Sequence, residues 1–312
     1  MKNNKFKYIV MSPSYNEING GVVVLHKLCH VLNQVGEEAY IFHYRDNYLL
    51  NSNHLFKTAY DAIKNYCKIL LNGFKVNPYL NTPVLNKIPD DISSDGWVVI
   101  YPEVVLGNPL GAKNVVRWLL HQPGFHNGNI LYGPGELYFK FNSAIYDFQL
   151  LGSKTSVNEL KVIHYPLEHY NLDEIPTTRS GTAYCIRKGK GKKLIHDLND
   201  SVLIDGLSHA ETAKVFKSVK RFISYDTLTA YSIFAVLCGC ESVVIPDEGI
   251  SKHQWYPNIE DQYGIAYGLS ILERENALQT SSKVLERVNR HHLESVDNVS
   301  NMIDIVERYF VQ

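Results

Sequence analysis

With 312 residues, 45% of them hydrophobic and 20% charged, the chain has the make-up of a globular protein and the length for two domains of roughly 150 residues. Lys+Arg 31 against Asp+Glu 32 leave a net charge of -1, which gives no footing for nucleic acid as a partner. Five cysteines without regular spacing speak against a disulfide framework, Cys238-Gly239-Cys240 is too tight for a zinc pairing, and no run of about 18 apolar residues or signal-peptide pattern is present, so the expectation is a cytoplasmic protein with reduced thiols.

In chain order, Lys7 to Ser12 predicts a buried strand closed by Pro13 and the polar loop Ser14-Tyr15-Asn16-Glu17. Asn19-Gly20-Gly21 opens a helix carried by Leu25, Leu28, Cys29 and Leu32 and stopped at Gly36, and Glu38 to His43 follows as a second strand. This βαβ opening lacks GxGxxG, which argues against a nicotinamide or flavin dinucleotide. Gly20 and Gly21 still allow a ligand close to the backbone at a helix start. Phe56 to Leu71 predicts a helix whose Lys57, Lys64 and Lys68, with Lys75 beyond it, form a solvated face, a peripheral membrane contact being the alternative. Trp97 to Tyr101 is a strand ending at Pro102-Glu103. Asn114 to Leu120 is another, running into His121-Gln122-Pro123-Gly124-Phe125-His126. Two further strands, 147–151 and 161–165, are expected around a helix near 156–160, and Tyr170 to Ser180 reads as a linker.

A second α/β segment begins at Thr182 to Ile186 and continues through the basic loop Arg187 to Lys193, a helix near 194–198 and the strand Val202 to Asp205. Ser208-His209-Ala210-Glu211 is a capping box. The stretch Arg221 to Pro246 then spells strand, polar turn, helix, strand: Phe222-Ile223-Ser224, Tyr225-Asp226-Thr227, a 3.6-period run from Leu228 to Leu237, and Ser242 to Ile245. Asp226 is the expected N-cap of that helix, with Thr227 and Thr229 beside it, a setting that suits a phosphate. A loop at 247–258, a strand at 264–267 and two amphipathic helices complete the chain, the last with Val296, Val299, Met302, Ile303, Val306 and Phe310 on one stripe.

Arg187 to Lys193 puts one Arg and four Lys in seven residues with two glycines. No Walker A spacing fits it. Cations at a strand's carboxyl end can clamp a diphosphate, with a solvated turn as the alternative. Two Rossmann-like halves, a Gly-Gly loop in the first and a basic loop opening the second resemble the GT-B glycosyltransferases. The large retaining group of that fold places an Arg and, five residues on, a Lys against the donor's diphosphate, and Arg187 and Lys192 have that spacing. The same group has two glutamates eight positions apart; aligning Ala235 and Gly239 puts Asp226 at the first and Phe234 at the second. Tyr-Asp-x-x-Thr before a helix ending Cys-Gly-Cys looks like bacterial polysaccharide-assembly transferases of this fold. The motifs fall within residues 180–246, and residues 1–170 share only the architecture.

The resemblance implies an α/β protein of two Rossmann-like domains with an interdomain cleft: an acceptor-side domain, 1–172, a nucleotide-sugar donor domain, 173–295, and a helix, 296–312, packing back on the first. It implies transfer of a sugar from a nucleotide-diphosphate donor, as substrate and not as cofactor, to a hydroxyl of a glycan or lipid-linked glycan of the lipopolysaccharide, capsule or O-antigen type. Gly20, Gly21, Arg187, Lys192, Tyr225, Asp226, Thr227 and Thr229 would line the donor. Glu103 or His121, with His126 and Glu17 behind them, would take the acceptor's proton in an inverting reaction; in a retaining one the leaving phosphate can do so. No DxD pair or HExxH is present, so a metal-independent enzyme is expected. A nucleotide-sugar epimerase and a non-catalytic glycan-assembly module are the alternatives.

Overall fold

The computed structural model describes residues 6–43, 73–150 and 152–311, together with Phe56, Tyr60, Ile63, Lys64 and Cys67. Those five are helical, and the rest of the helix expected over 56–71, Lys57 and Lys68 included, lies outside the described residues. The chain divides into two units, 1–164 with 292–312, and 165–291.

Unit 1 is built on a seven-stranded sheet of order β3-β2-β1-β4-β5-β6-β7, parallel throughout. Its strands are β1 (Lys7–Ser12), β2 (Glu38–His43), β3 (Val84–Leu85), β4 (Trp97–Pro102), β5 (Asn114–Leu119), β6 (Leu137–Lys140) and β7 (Lys154–Thr155), and α1 (Gly20–Gln34) crosses between β1 and β2. Strands such as Trp97–Pro102, buried at every position, are what a parallel sheet covered on both faces requires. Alternate residues feed two cores. Tyr8, Val10, Val98, Ile100, Val116 and Trp118 pack with α1 and with Val299, Met302, Ile303 and Val306 near the end of the chain. Ile9, Met11, Val99, Tyr101 and Val115 face the other way.

The strand expected at 147–151 is absent over its described residues, 147–150, and the strand at 161–165 and the helix near 156–160 are absent too. The sheet takes β6 and the short β7 instead, and Ser156 and Leu160 prolong the edge with backbone bonds to Tyr138 and Lys140. Residues 161–163 are satisfied by helix side chains: Ser295 Oγ accepts from the Ile163 amide, and Asn298 donates to the Lys161 carbonyl. A segment whose polar backbone is met that way needs no strand neighbour.

Unit 2 holds a five-stranded parallel sheet of order β12-β11-β10-β8-β9. Its strands are β8 (Thr182–Cys185), β9 (Ser201–Leu203), β10 (Arg221–Ser224), β11 (Glu241–Val244) and β12 (Ile265–Tyr267). Its helices are α2 (His209–Ser218), α3 (Tyr231–Leu237), α4 (Lys252–Trp255) and α5 (Ile271–Thr280), and α6 (Ser282–Phe310) begins here and ends in unit 1. The capping box at the start of α2 is formed in both directions between Ser208 and Glu211. Residues 165–180 belong to this unit, and the reason is Tyr170. Its fully buried ring stacks on Phe234 at 4.3 Å, and its hydroxyl meets His209 Nδ1 at 2.7 Å.

Two local expectations fail. No helix forms at 194–198, because the Ile195 amide donates to the Tyr225 hydroxyl and not along the chain. Asp226 is not the N-cap of α3, which begins at Tyr231 after Ala230 and has no side-chain cap. Asp226 Oδ1 instead accepts from the Leu228 amide at 3.2 Å, an Asx turn that postpones the helix.

Candidate functional site

Numbered within unit 2, the five strands run 2-1-3-4-5, and the order reverses between β8 and β10. In open parallel sheets the crevice outside the carboxyl ends at such a reversal is where ligands bind. The chain leaves β8 at Arg187 and β10 at Asp226, so the basic loop and the polar turn meet at that point.

The loop is fixed from several sides. Asp205, just past β9, accepts from the amides of Ile186 and Arg187 at 3.1 and 2.9 Å. Arg187 has a left-handed backbone, φ 40, which a side chain other than glycine adopts only when its surroundings hold it there. Its guanidinium lies 5.1 Å from the Tyr231 ring centre, and its Nε is 3.8 Å from Asp226 Oδ2. Asp226 itself is buried. Gly189 passes directly over Tyr225: a Cβ there would stand 2.0 Å from the Tyr225 carbonyl oxygen. The fully buried Tyr225 side chain reaches into the same loop, its hydroxyl meeting the Ile195 amide and His196 Nδ1, each at 2.8 Å. Burial pushes the His196 imidazole below its ordinary value and the Tyr225 phenol above its own. At the far side Lys192 Nζ donates to the Ile245 carbonyl at 2.7 Å and pairs with Asp247 Oδ1 at 2.7 Å. The hydrogen bond from Lys192 holds the Asp247 carboxyl below the usual carboxylate range.

Thr227 closes the ring. Its hydroxyl donates to Asp247 Oδ2 at 2.9 Å, and its carbonyl accepts from Trp255 Nε1 at 2.7 Å. Thr229 Oγ1 accepts from the Tyr231 amide at 3.3 Å. Of the eight donor residues expected from sequence, six thus stand on one edge of unit 2: Arg187, Lys192, Tyr225, Asp226, Thr227 and Thr229. Tyr225 serves that edge by holding the loop, since its side chain has no exposed surface. Asp205, Asp247, Gly189 and Trp255 were not expected. Asp205 and Asp247 each close an apolar strand run, Val202-Leu203-Ile204 and Val243-Val244-Ile245, and that position was their signal. Phe234, aligned with an acid in the resembled family, is a core residue packed between Tyr170, His209 and Tyr231.

The remaining candidates lie in unit 1, where the sheet order reverses between β1 and β4. Gly20 and Gly21 are the first residues of α1, whose N-cap Asn19 accepts from the Val22 amide. A Cβ on Gly20 would meet no atom within 4 Å, so space stands open over that helix start. Glu103 follows β4. It is 4% exposed, and its Oε2 accepts from the Leu120 amide at 3.0 Å. Burial raises its carboxyl above the ordinary value, opposed by the Leu120 amide and by the charges of His126 and His121. His121 stacks on Phe125 with ring centres 4.0 Å apart and lies 5.1 Å from His126. Its Nδ1 accepts from the Gln122 amide at 2.8 Å, which leaves the proton of the neutral ring on Nε2. Glu103, His121 and His126 are therefore gathered, while Glu17 sits on the loop before α1.

Beneath them is a buried ion pair that the sequence did not announce. Arg117 is fully buried and makes a two-pronged contact with Glu136 at 2.9 and 2.7 Å. It also donates to the carbonyls of Val105 and Gly107, and its guanidinium lies 4.2 Å from the Tyr132 ring centre. Tyr132 in turn donates to the Glu103 carbonyl at 2.6 Å, so the pair fixes the loop that carries Glu103. Among the described residues no cluster of three or more His, Cys, Asp or Glu could hold a metal ion, and no helix is long and apolar enough to cross a membrane.

No protein-family model matches the sequence, and no curated protein does. Among solved structures, sucrose-phosphate synthase from Thermosynechococcus elongatus aligns over 98% of this chain and 97% of its own, at 10% identity and a TM-score of 0.32. The glycosyltransferase VinC, in complex with DTDP, aligns over 97% of this chain and 95% of its own, at 12% identity and a TM-score of 0.31. Overlap at those scores leaves the strand orders and side-chain geometry above to stand by themselves.

Proposed function

We propose that the protein is a glycosyltransferase that moves a sugar from a nucleotide-diphosphate donor to an acceptor hydroxyl, the acceptor being a glycan or lipid-linked glycan of a bacterial surface polymer. The observation that carries this reading is the meeting of Arg187, Lys192 and Thr227 at the strand-order reversal of unit 2. Transfer breaks the bond between the sugar's anomeric carbon and the diphosphate oxygen, and negative charge grows on the leaving group. Arg187 can hold two oxygens in a fork, Lys192 adds a point charge, and Thr227 and Thr229 offer hydroxyls; fixed donors of this kind stabilise such a charge without reorganising.

Of the two candidates in unit 1 for taking the acceptor's proton, Glu103 suits the part better than His121. The raised affinity of its carboxylate for a proton brings it closer to the working pH. His121 accepts at Nδ1 from the Gln122 amide, which turns Nε2 into the nitrogen that can donate a hydrogen bond.

A thermal-shift screen with nucleoside diphosphates and diphospho-sugars tests the reading. A ligand present at 100 times its Kd should stabilise the protein by about 2.7 kcal/mol, and Lys192→Ala should abolish the effect. If none of these ligands raises the melting temperature, or if Lys192→Ala responds as the wild type does, the donor assignment is wrong.

A further inference from the structure

Asp247 stands three residues past the end of β11, and 49% of its side chain is exposed, yet both of its oxygens are engaged. Oδ1 takes the Lys192 ammonium at 2.7 Å and Oδ2 the Thr227 hydroxyl at 2.9 Å. These are the two groups that would receive a phosphate. A carboxylate bridging an ammonium and a hydroxyl offers the same two-oxygen edge that a phosphate does. Arg187, the other clamp cation, likewise has a carboxylate beside it, Asp226 at 3.8 Å.

We propose that Asp247 is an internal stand-in for the donor's phosphate: it closes the clamp in the absence of ligand and is displaced when a diphosphate binds. This rests on the reading of Arg187, Lys192 and Thr227 as a diphosphate site. The surroundings permit the exchange. Lys192 has a second anchor, the Ile245 carbonyl at 2.7 Å, which keeps the ammonium in place after the carboxylate has left. The Asp247 backbone is held separately, its carbonyl accepting from the Ile250 amide, so rotation of one half-exposed side chain toward water is all that release requires. The carboxyl stays ionised at neutral pH, so it competes with phosphate as a full charge. The consequence has an unusual sign. Removing a residue that contacts the ligand weakens binding, whereas removing a competitor strengthens it.

The test is calorimetric titration of the full chain with inorganic pyrophosphate, which needs no nucleobase, and with a panel of nucleoside diphosphates. Asp247→Asn should bind roughly tenfold more tightly than the wild type, a change of the size expected when one opposing charge is removed. Asp247→Ser should do the same, and Lys192→Ala should lose binding. If Lys192→Ala loses binding but both Asp247 variants bind no better than wild type, the diphosphate site stands and the stand-in role falls. If no variant binds pyrophosphate or any nucleoside diphosphate, or if Lys192→Ala binds as the wild type does, both fall together.

Discussion

Gly189→Ala is the sharpest perturbation of the basic loop that the structure offers. The added Cβ would lie 2.0 Å from the Tyr225 carbonyl oxygen and 2.3 Å from its carbon, and backbone atoms at the end of a central strand cannot step aside as a side chain can. The loop must lift. Lifting it breaks both contacts of the Tyr225 hydroxyl, to the Ile195 amide and to His196, each at 2.8 Å. At about 1 kcal/mol for each bond, and a further 1 kcal/mol or more for a buried hydroxyl left alone, the loss is about 3 kcal/mol. Amide hydrogen exchange at Ile195 reads it directly as a fall in opening free energy. Gly191→Ala is the control two residues away. That glycine has φ 99 and open space around its Cβ, so the cost is backbone strain alone, about 1–2 kcal/mol, with the Ile195 amide still protected. Should Gly189→Ala keep Ile195 as slow to exchange as in the wild type, the steric reasoning fails.

Other substitutions address the remaining parts. Arg117→Ala leaves Glu136 buried without its partner and should cost about 3–5 kcal/mol in urea unfolding; a cost below 1 kcal/mol would mean that the pair does not fix its loop. Phe234→Glu restores the acid of the resembled family but buries it against Tyr170, and the melting temperature should fall by many degrees with no gain in nucleotide affinity. Glu103 bears on pH. Because the folded protein raises its carboxyl, the folded state still holds the proton at a pH where the unfolded chain has released it. The penalty is absent at low pH, grows as pH rises from the ordinary carboxylate value to the raised one, and is complete above that. Glu103→Gln should therefore be more stable than the wild type at neutral pH and lose that advantage on acidification, while turnover disappears; a pH-independent difference in melting temperature would contradict the burial argument.

How much of this could be read from the residues alone depends on the range of the interactions. Trp97-Val98-Val99-Ile100 and Val243-Val244-Ile245 are strands because apolar runs of that length fit a sheet covered on both faces, and that signal is local. The basic loop was visible for the same reason, five cations and two glycines within seven residues. β6 was hidden, since Leu137 to Lys140 is a short run behind Gly133-Pro134-Gly135 and only its pairing with β5 makes it a strand. Residues 161–163 look like a strand but bond to Ser295 and Asn298, more than a hundred residues downstream, and nothing nearby announces it. The start of α3 is set by a competition within a few residues: Asp226 prefers its own Asx turn to capping a helix, which begins only at Tyr231. In the site, residue types were legible and partners were not. Lys192 could be picked out by charge and spacing, but that Asp247 answers it depends on the loop after β8 crossing the end of β10 to reach the segment beyond β11.

The central claim is that a diphosphate is gripped where β8 and β10 part, and hydrogen-exchange mass spectrometry with and without inorganic pyrophosphate tests it most directly. The expected footprint is slowed exchange in peptides covering 187–193 and 227–229, absent in Lys192→Ala. Protection confined to other segments, such as 13–21 of unit 1, or no protection anywhere at saturating pyrophosphate, would contradict it.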